Sequence, residues 1–325
     1  MMERTGIAVA GTILVDEINE IAAYPACGEL AQIQKNSRSI GGCVPNVAVD
    51  LKKLCPSMDI LAIGKVGDDD NGRFAKEMMA QPGVDVSRVL SMTGEKTSFS
   101  QVMSIIGGQR TFFVYAGASA QFGADDVALA DLQARILHLG YFLLLDKIDH
   151  GDGLILLQKA QQAGLKTSID LVSENTDRYH LVLPCLPYVD YLIINEHEAE
   201  KLTDIPATNE NLPRIAKTLM DAGVRDKVII HKPDRAICCS AEGITTVGSY
   251  ILPDGYIQGT TGAGDAFCAG ALVGIHEGWS DREILEFSSA AAVAALGAAD
   301  ATSGLKTIEQ VRAQCKDFDR KDIAE

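Results

Sequence analysis

The stretch Gly259-Thr260-Thr261-Gly262-Ala263-Gly264-Asp265-Ala266-Phe267, continued by Cys268-Ala269-Gly270-Ala271, decides how this chain is read. From Asp265 onward, small and apolar residues follow without a polar face, the pattern of a buried helix. The Gly-rich turn before it therefore sits at a helix N-terminus. Backbone N–H groups there lack intrahelical partners and face outward at the positive end of the dipole, which favours an anion. Asp265 adds a carboxylate at the mouth of the same turn. An anion cradle beside a carboxylate suits a reaction that moves a proton while charge builds on a phosphate. Taken alone, the turn fits equally well two glycines that permit a tight bend and an aspartate that caps a helix. Neither the G-x-x-x-x-G-K-[ST] P-loop nor the G-x-G-x-x-G dinucleotide fingerprint fits the chain.

Two further clusters carry polar groups on turns. Gly41-Gly42-Cys43-Val44-Pro45-Asn46-Val47-Ala48 offers close backbone approach at its glycines and a donor–acceptor amide at Asn46, near a helix start. Asn195-Glu196-His197-Glu198 directly follows the apolar run Tyr191–Ile194. Residues just past the C-terminal end of a strand face the ligand crevice of an open α/β sheet. Asn195 and Glu198 there can organise a hydrated Mg²⁺. His197 has no second histidine at ligand spacing and reads as a partly exposed side chain.

Around these clusters the chain alternates short apolar runs with amphipathic helical stretches. Ile7–Ala10, 59–63, 167–171, Tyr191–Ile194 and 228–231 read as buried strands. Leu51 and Leu54, Leu154 and Leu157, and Ile215 and Leu219 mark helical faces, the last ending at Gly223. Such alternation predicts a mostly parallel sheet covered by helices on both faces. Two stretches break the rhythm, 11–39 and 97–115. In the second, the runs 98–106 and 110–115 flank Gly107-Gly108-Gln109, a hairpin signal. A small β-flap over a site is expected from these excursions. The charged tail from Lys316 is expected to fray.

Composition removes several classes. Of 325 residues, 47% are apolar and 22% charged, ordinary globular usage that argues against disorder or a disulfide miniprotein. With 29 basic against 44 acidic residues the formal charge is −15, which argues against nucleic acid or a membrane surface as partner. No run of 18 apolar residues occurs, and Met1-Met2-Glu3-Arg4 is followed by no apolar leader, so a cytoplasmic protein is expected. Eight cysteines at 27, 43, 55, 185, 238, 239, 268 and 315 form no C-x-x-C pair and no zinc-type spacing, and read as free thiols.

Together the three clusters, in this order and at these separations, resemble the ribokinase-like, PfkB carbohydrate kinase family. Its early G-G-x-x-x-N-x-A motif is matched by Gly41, Gly42, Asn46 and Ala48, its N-x-x-E motif by Asn195 and Glu198, and its D-T-x-G-A-G-D motif by Thr260, Gly262, Ala263, Gly264 and Asp265. The resemblance implies a single ribokinase-like α/β domain over 1–325, with a β-lid built from about 12–40 and 96–116. It implies transfer of the ATP γ-phosphoryl group to a sugar hydroxyl. Asp265 would be the base, and the amides of Gly262, Ala263 and Gly264 the anion hole. Glu198 with Asn195 would order Mg²⁺. Asn195, Thr260, Gly262 and Gly264 would meet the nucleotide, and Asp16, Gly41, Gly42 and Asn46 the sugar. A homodimer through the lid edge is the suggested assembly.

Departures from the family pattern matter as well. Gly259 replaces the usual Asp, near a monovalent-cation loop in relatives, so a K⁺ requirement is left open. Lys232-Pro233-Asp234-Arg235 replaces a Gly-containing nucleotide turn, and Pro233 brings no N–H. Cys43 and Asp50 stand where kinases of phosphorylated sugars often carry Lys and Arg, so an unphosphorylated, ribose- or fructose-like sugar is expected. Lys35 and Arg38 are read as solvated lid charges. Asp170 ends a strand and either lines the cleft or caps the strand end. Gly64, Gly67, Asp69, Gly72 and Trp279 are read as structural. The alternatives are a nucleoside kinase, which would stack a base on Phe112, Phe113 or Tyr115, and a non-catalytic sugar sensor.

Overall fold

In the computed structural model, which describes residues 4–105 and 110–323, the apolar runs of the sequence form strands buried on both faces. In chain order all the strands are β1 (Ile7–Gly11), β2 (Leu14–Ile21), β3 (Ile33–Gly41), β4 (Ile60–Gly67), β5 (Asp85–Met92), β6 (Ser98–Ile105), β7 (Arg110–Tyr115), β8 (Ile136–Phe142), β9 (Lys166–Leu171), β10 (Tyr191–Asn195), β11 (Lys227–His231), β12 (Arg235–Ser240) and β13 (Gly243–Gly248). The helices are α1 (Cys43–Leu54), α2 (Asp70–Ala80), α3 (Gly153–Gln162), α4 (Glu196–Thr203), α5 (Leu212–Asp221), α6 (Ala263–Glu277), α7 (Asp281–Leu296) and α8 (Ile308–Gln314).

The main sheet runs β13-β12-β11-β10-β9-β8-β1-β4-β5, parallel from β5 through β11 and antiparallel at β12 and β13. Side chains alternate between two cores. Ile7, Val9, Ile193 and Ile229 face the core with α1, α6 and α7, whereas Ala8, Ala10, Leu192, Ile194, Val228 and Ile230 face the core with α3, α4 and α5. This is the ribokinase-like α/β architecture expected from the alternation.

Strand order reverses at β1: β4 and β5 build outward on one side, β8 to β11 on the other. The crevice at the C-terminal ends of strands flanking such a reversal is where ligands bind in open α/β sheets. Helix α6 leaves this crevice through the interior, buried from Asp265 to Ile275. Small residues allow that depth: a Cβ on Gly270 would lie 2.9 Å from the Ser288 Cα of α7.

The two excursions meet in a second sheet, ordered β3-β2-β6-β7, in which β2 and β6 pair in parallel. The Gly107-Gly108 turn expected between β6 and β7 lies outside the described residues. Asp69 joins the two sheets. It caps α2 by accepting from the Gly72 N–H at 2.8 Å, and it accepts from the Thr97 N–H at 2.9 Å at the start of β6. Gly67, Gly72 and Asp69 thus have a structural part, as does Trp279, packed edge-on to Phe287 at 5.3 Å. Among the described residues no helix is long and apolar enough to cross a membrane.

The tail departs from expectation. Arg320 donates to the carbonyls of Gly248 and Glu286 and to the Tyr250 hydroxyl, and the Lys321 N–H donates to the Ser249 carbonyl. The Arg320 guanidinium is docked rather than solvated, and with the Lys321 N–H it holds the tail against β13 and α7, while Lys316, Asp317 and Asp319 stay exposed.

Candidate active site

Asp265 lies in the first turn of α6, 6% exposed, and two side chains donate to its Oδ2. Asn46 Nδ2 reaches it at 2.9 Å and the Tyr141 hydroxyl at 3.1 Å. Burial first, and then the charge of Asp170, push the Asp265 pKa up to about 7 against the lowering by these two bonds. A carboxylate poised near neutrality is suited to accept a proton. The turn before it is strained in a way only glycine permits cheaply. Gly262 has φ +82°, and a Cβ there would come within 2.5 Å of the Ala301 Cα. Gly264 differs: the nearest atom to an added Cβ is His231 Cε1 at 3.9 Å, so its outer side is open.

Asn46 was expected at the start of a helix. The structure begins α1 at Cys43 after Gly42, φ +88°, and sets Asn46 in the first turn, where its amide points across to Asp265. The Asn46 Oδ1 is buried without a hydrogen-bond partner, and so is the Thr12 Oγ1. A Cβ on Gly42 would lie 2.7 Å from the Thr12 carbonyl, and one on Gly41 would run into the Asp16 carboxylate. The Ser100 hydroxyl donates to Asp16. The glycines thus let α1 and β2 close around a small space whose rim carries unsatisfied polar atoms.

Glu198 stands at the other side of Asp170. Asn195 caps α4 reciprocally with it: the Glu198 N–H donates to Asn195 Oδ1 at 3.0 Å, and the Asn195 N–H donates to Glu198 Oε2 at 3.0 Å. Ser173 Oγ donates to Glu198 Oε1 at 2.9 Å. Burial pushes Glu198 up to about 8 against these bonds. Asp265, Asp170, Glu198, Asn195, Gly262 and Gly264 line one small cavity of about 200 Å³. It opens beside a larger cleft of about 860 Å³, whose walls include Thr260, Gly264, Phe267, Ile257, Val293 and Leu296. Pro233 and Lys232 form part of its rim, with Asp234 paired to Arg235 at 3.1 Å.

Three contributors escaped the sequence reading. Tyr141 is the penultimate residue of β8, a strand not foreseen because His138 and Gly140 interrupt its apolar pattern. Its backbone is in the left-handed region at φ +59°, an uncommon conformation for an aromatic residue and one found at functional sites. His231, at the end of β11, stacks on Phe267 with ring centroids 4.5 Å apart, and burial lowers its pKa to about 4. Ser100 is recognisable only from the strand register that sets it beside Asp16.

A buried carboxylate beside glycine amides at a helix N-terminus can support phosphoryl transfer. A family model described as "pfkB family carbohydrate kinase" matches residues 6–308. The chain belongs to this family. It is a carbohydrate kinase, a phosphotransferase with a hydroxyl acceptor, and the sensor alternative is set aside. Among similar proteins, a ribokinase of Arabidopsis thaliana is 26% identical over 290 residues, covering 88% of this chain and 74% of that protein. A 5-dehydro-2-deoxygluconokinase of Geobacillus thermodenitrificans is 24% identical over 289 residues, covering 85% and 83%. The solved structure of Arabidopsis thaliana ribokinase complexed with ribose and ATP superposes with a TM-score of 0.82 at 24% identity, covering 96% of this chain and 99% of that one.

Proposed function

We propose that this kinase transfers the γ-phosphoryl group of ATP, with Mg²⁺, to a hydroxyl of a small unphosphorylated sugar of the ribose or fructose type. The observation that carries this reading is the Asp265 carboxylate. It is held by Asn46 on the sugar side, raised to about 7, and seated in the first turn of α6 beside the amides of Gly262, Ala263 and Gly264. In this reading Asp265 takes the proton of the attacking hydroxyl. The three amides face the charge that spreads over the transferred group, which needs positioning and charge stabilisation more than covalent chemistry.

The chain's residues fit the groups assigned to them. The apolar cleft beside Gly264 has room for a nucleotide, and ATP supplies the activated phosphoryl group. Thr260 and Gly264 are the contacts assigned to it, with Asn195 at the phosphate end. Glu198, an acid held in the protonated range by burial, gains most from a divalent cation and its waters nearby, which favour its ionised form. Gly259 brings no carboxylate, while the Ala298 and Ala299 carbonyl oxygens stand 2.9 and 3.0 Å from where its Cβ would be.

On the sugar side, the unpaired Asn46 Oδ1 and Thr12 Oγ1 and the Asp16 carboxylate suit neutral hydroxyls. The basic groups nearby are engaged elsewhere. Lys35 pairs with Glu20 at 3.3 Å, and the Arg38 guanidinium lies 4.0 Å from the Phe74 ring centroid. The small sheet carrying Asp16 acts as a lid that excludes water, a competing acceptor. Its edge strand β7 exposes Phe112, Phe113, Val114 and Tyr115 and offers an edge to a second copy of the chain. A dilute, fully active monomer by light scattering would contradict that assembly.

One observation favours a second reading, a nucleoside kinase. The register Asp16–Ser100–Val114 puts Phe112, two residues on, on the same face as Asp16, where a base could stack. ADP release from MgATP over free sugars, sugar phosphates and nucleosides separates the readings. Turnover of a free pentose or hexose supports the first. Turnover of nucleosides alone, or of phosphorylated sugars alone, overturns it.

A further inference from the structure

The sequence offers no zinc-type spacing, yet the fold collects one from three separate elements. Cys43 opens α1, His138 sits in β8 and Asp170 in β9. All three are buried, His138 and Cys43 completely. Cys43 Sγ stands 3.6 Å from His138 Nε2. Asp170 Oδ2 stands 3.6 Å from the same nitrogen and 3.9 Å from Cys43 Sγ. We propose that Cys43, His138 and Asp170 form a buried binding site for a zinc-class divalent metal ion.

The distances are those such an ion requires. With metal–sulfur bonds of about 2.3 Å and metal–nitrogen or metal–oxygen bonds of about 2.0–2.2 Å, the ligand atoms of a tetrahedral site stand about 3.3–3.8 Å apart. The three separations among Cys43 Sγ, His138 Nε2 and Asp170 Oδ2 fall in or at the edge of that range, and Cys268 Sγ, 3.6 Å from His138 Nε2, lies outside this mutually close set. One thiol, one imidazole and one carboxylate make a donor set that zinc accepts and that Mg²⁺ or Ca²⁺ disfavours.

The ligands are also oriented from outside. His138 Nδ1 lies 3.1 Å from Ser168 Oγ, and donation of its N–H there leaves the Nε2 lone pair facing the cluster. The Tyr141 N–H donates to Asp170 Oδ1 at 2.6 Å, leaving Oδ2 inward. Room is kept by Gly140, since a Cβ on it would coincide with Cys43 Sγ. Without a cation, a bare imidazole nitrogen and a carboxylate oxygen face each other with only weak thiol donors beside them. Metal binding discharges the Cys43 thiol proton to solvent and satisfies the three groups together. The ion would tie α1, which carries Asn46, to β8 and β9. This site stands independently of the sugar assignment.

Cobalt titration tests it on chelator-treated, reduced protein. One equivalent of Co²⁺ is expected to give tetrahedral ligand-field bands and thiolate-to-cobalt charge transfer, both reversed by one equivalent of Zn²⁺. The Cys43→Ser variant is expected to lose the charge-transfer band, since the one thiolate ligand is removed. If that protein does not fold by circular dichroism, Cys43→Ala is expected to lose it in its place. Folded wild-type protein without thiolate-to-cobalt charge transfer would overturn the proposal, with His138 and Asp170 left as an ion pair. So would a band unchanged in the cysteine variants, which would place the metal elsewhere.

Discussion

Asn46 and Asp265, 219 residues apart, meet through a hydrogen bond of 2.9 Å from the amide Nδ2 to the carboxylate Oδ2. The bond joins the first turn of α1 to the first turn of α6. The Asn46 Oδ1 is buried without a hydrogen-bond partner, so in the proposed reaction one side chain would both meet the acceptor sugar and steady the base. Because the bond favours the ionised form, it holds Asp265 lower than burial alone would.

Asp265 sets the first expectation. Its pKa of about 7 predicts kcat/KM rising with pH to a plateau above that value, since only the ionised form accepts the hydroxyl proton. Asp265→Asn should lower kcat by about 10²–10⁴-fold and remove the limb. Steady-state rates from about pH 5 to about pH 9 measure both, a range that lies between ordinary carboxylate and phenol values.

Tyr141 sets the second. Tyr141→Phe removes a donor that stabilises the Asp265 anion, so the acidic limb should move to higher pH while the plateau is largely kept. A purely structural role would lower the plateau without moving the limb. The same pH series, run on the variant, separates the two.

The two glycines of the turn should behave differently. Gly262→Ala forces a side chain onto Ala301 at positive φ and should destabilise by roughly 1–3 kcal/mol. Gly264→Ala meets nothing closer than 3.9 Å and should melt within about 1 kcal/mol of wild type, the ordinary scale for a glycine change in a helix. Its Cβ would stand where a phosphoryl group is to be cradled, so its activity should still fall. Melting curves and rates on both proteins give the comparison.

Glu198 links the cation to stability. Its folded pKa, about 8, is above the ordinary 4.5, so the folded state keeps a proton that the unfolded state has lost. Cation-free protein should therefore lose stability as pH rises from about 4 to about 8. Glu198→Gln should flatten that dependence in denaturant titrations. It should also raise the Mg²⁺ concentration needed for half-maximal rate by about 10–100-fold.

Asp50 makes the same linkage without a ligand. Both its oxygens are buried in α1 without a hydrogen-bond partner, and burial, then the Asp265 charge, push its pKa well above the usual carboxylate range. Asp50→Leu should stabilise the protein by about 1–3 kcal/mol, more at pH 8 than at pH 5, because an unsatisfied polar group is removed. Urea titrations at the two values read the difference, and a less stable variant would contradict it.

The alternation of buried strands and amphipathic helices was legible because periodicity is a local property, and so was the motif at the head of α6. The excursions at 11–39 and 97–115 were legible as interruptions, but their parallel pairing through β2 and β6 was not, since pairing partners leave no local mark. Tyr141 was missed because its place depends on a positive φ at a strand end. The Cys43–His138–Asp170 cluster was missed because its members are dispersed along the chain and converge only through α1, β8 and β9. The docked tail was misread because charge alone does not tell a solvated arginine from one that donates to buried carbonyls.

The most direct test of the central claim is mass analysis of the acceptor after incubation with MgATP. Free pentoses and hexoses would be run with wild type and with Asp265→Asn. The account predicts one free sugar carrying a single added phosphoryl group, matched mole for mole by ADP, and almost none with the variant. An unmodified sugar set with ADP formed all the same, or undiminished product with Asp265→Asn, would contradict it.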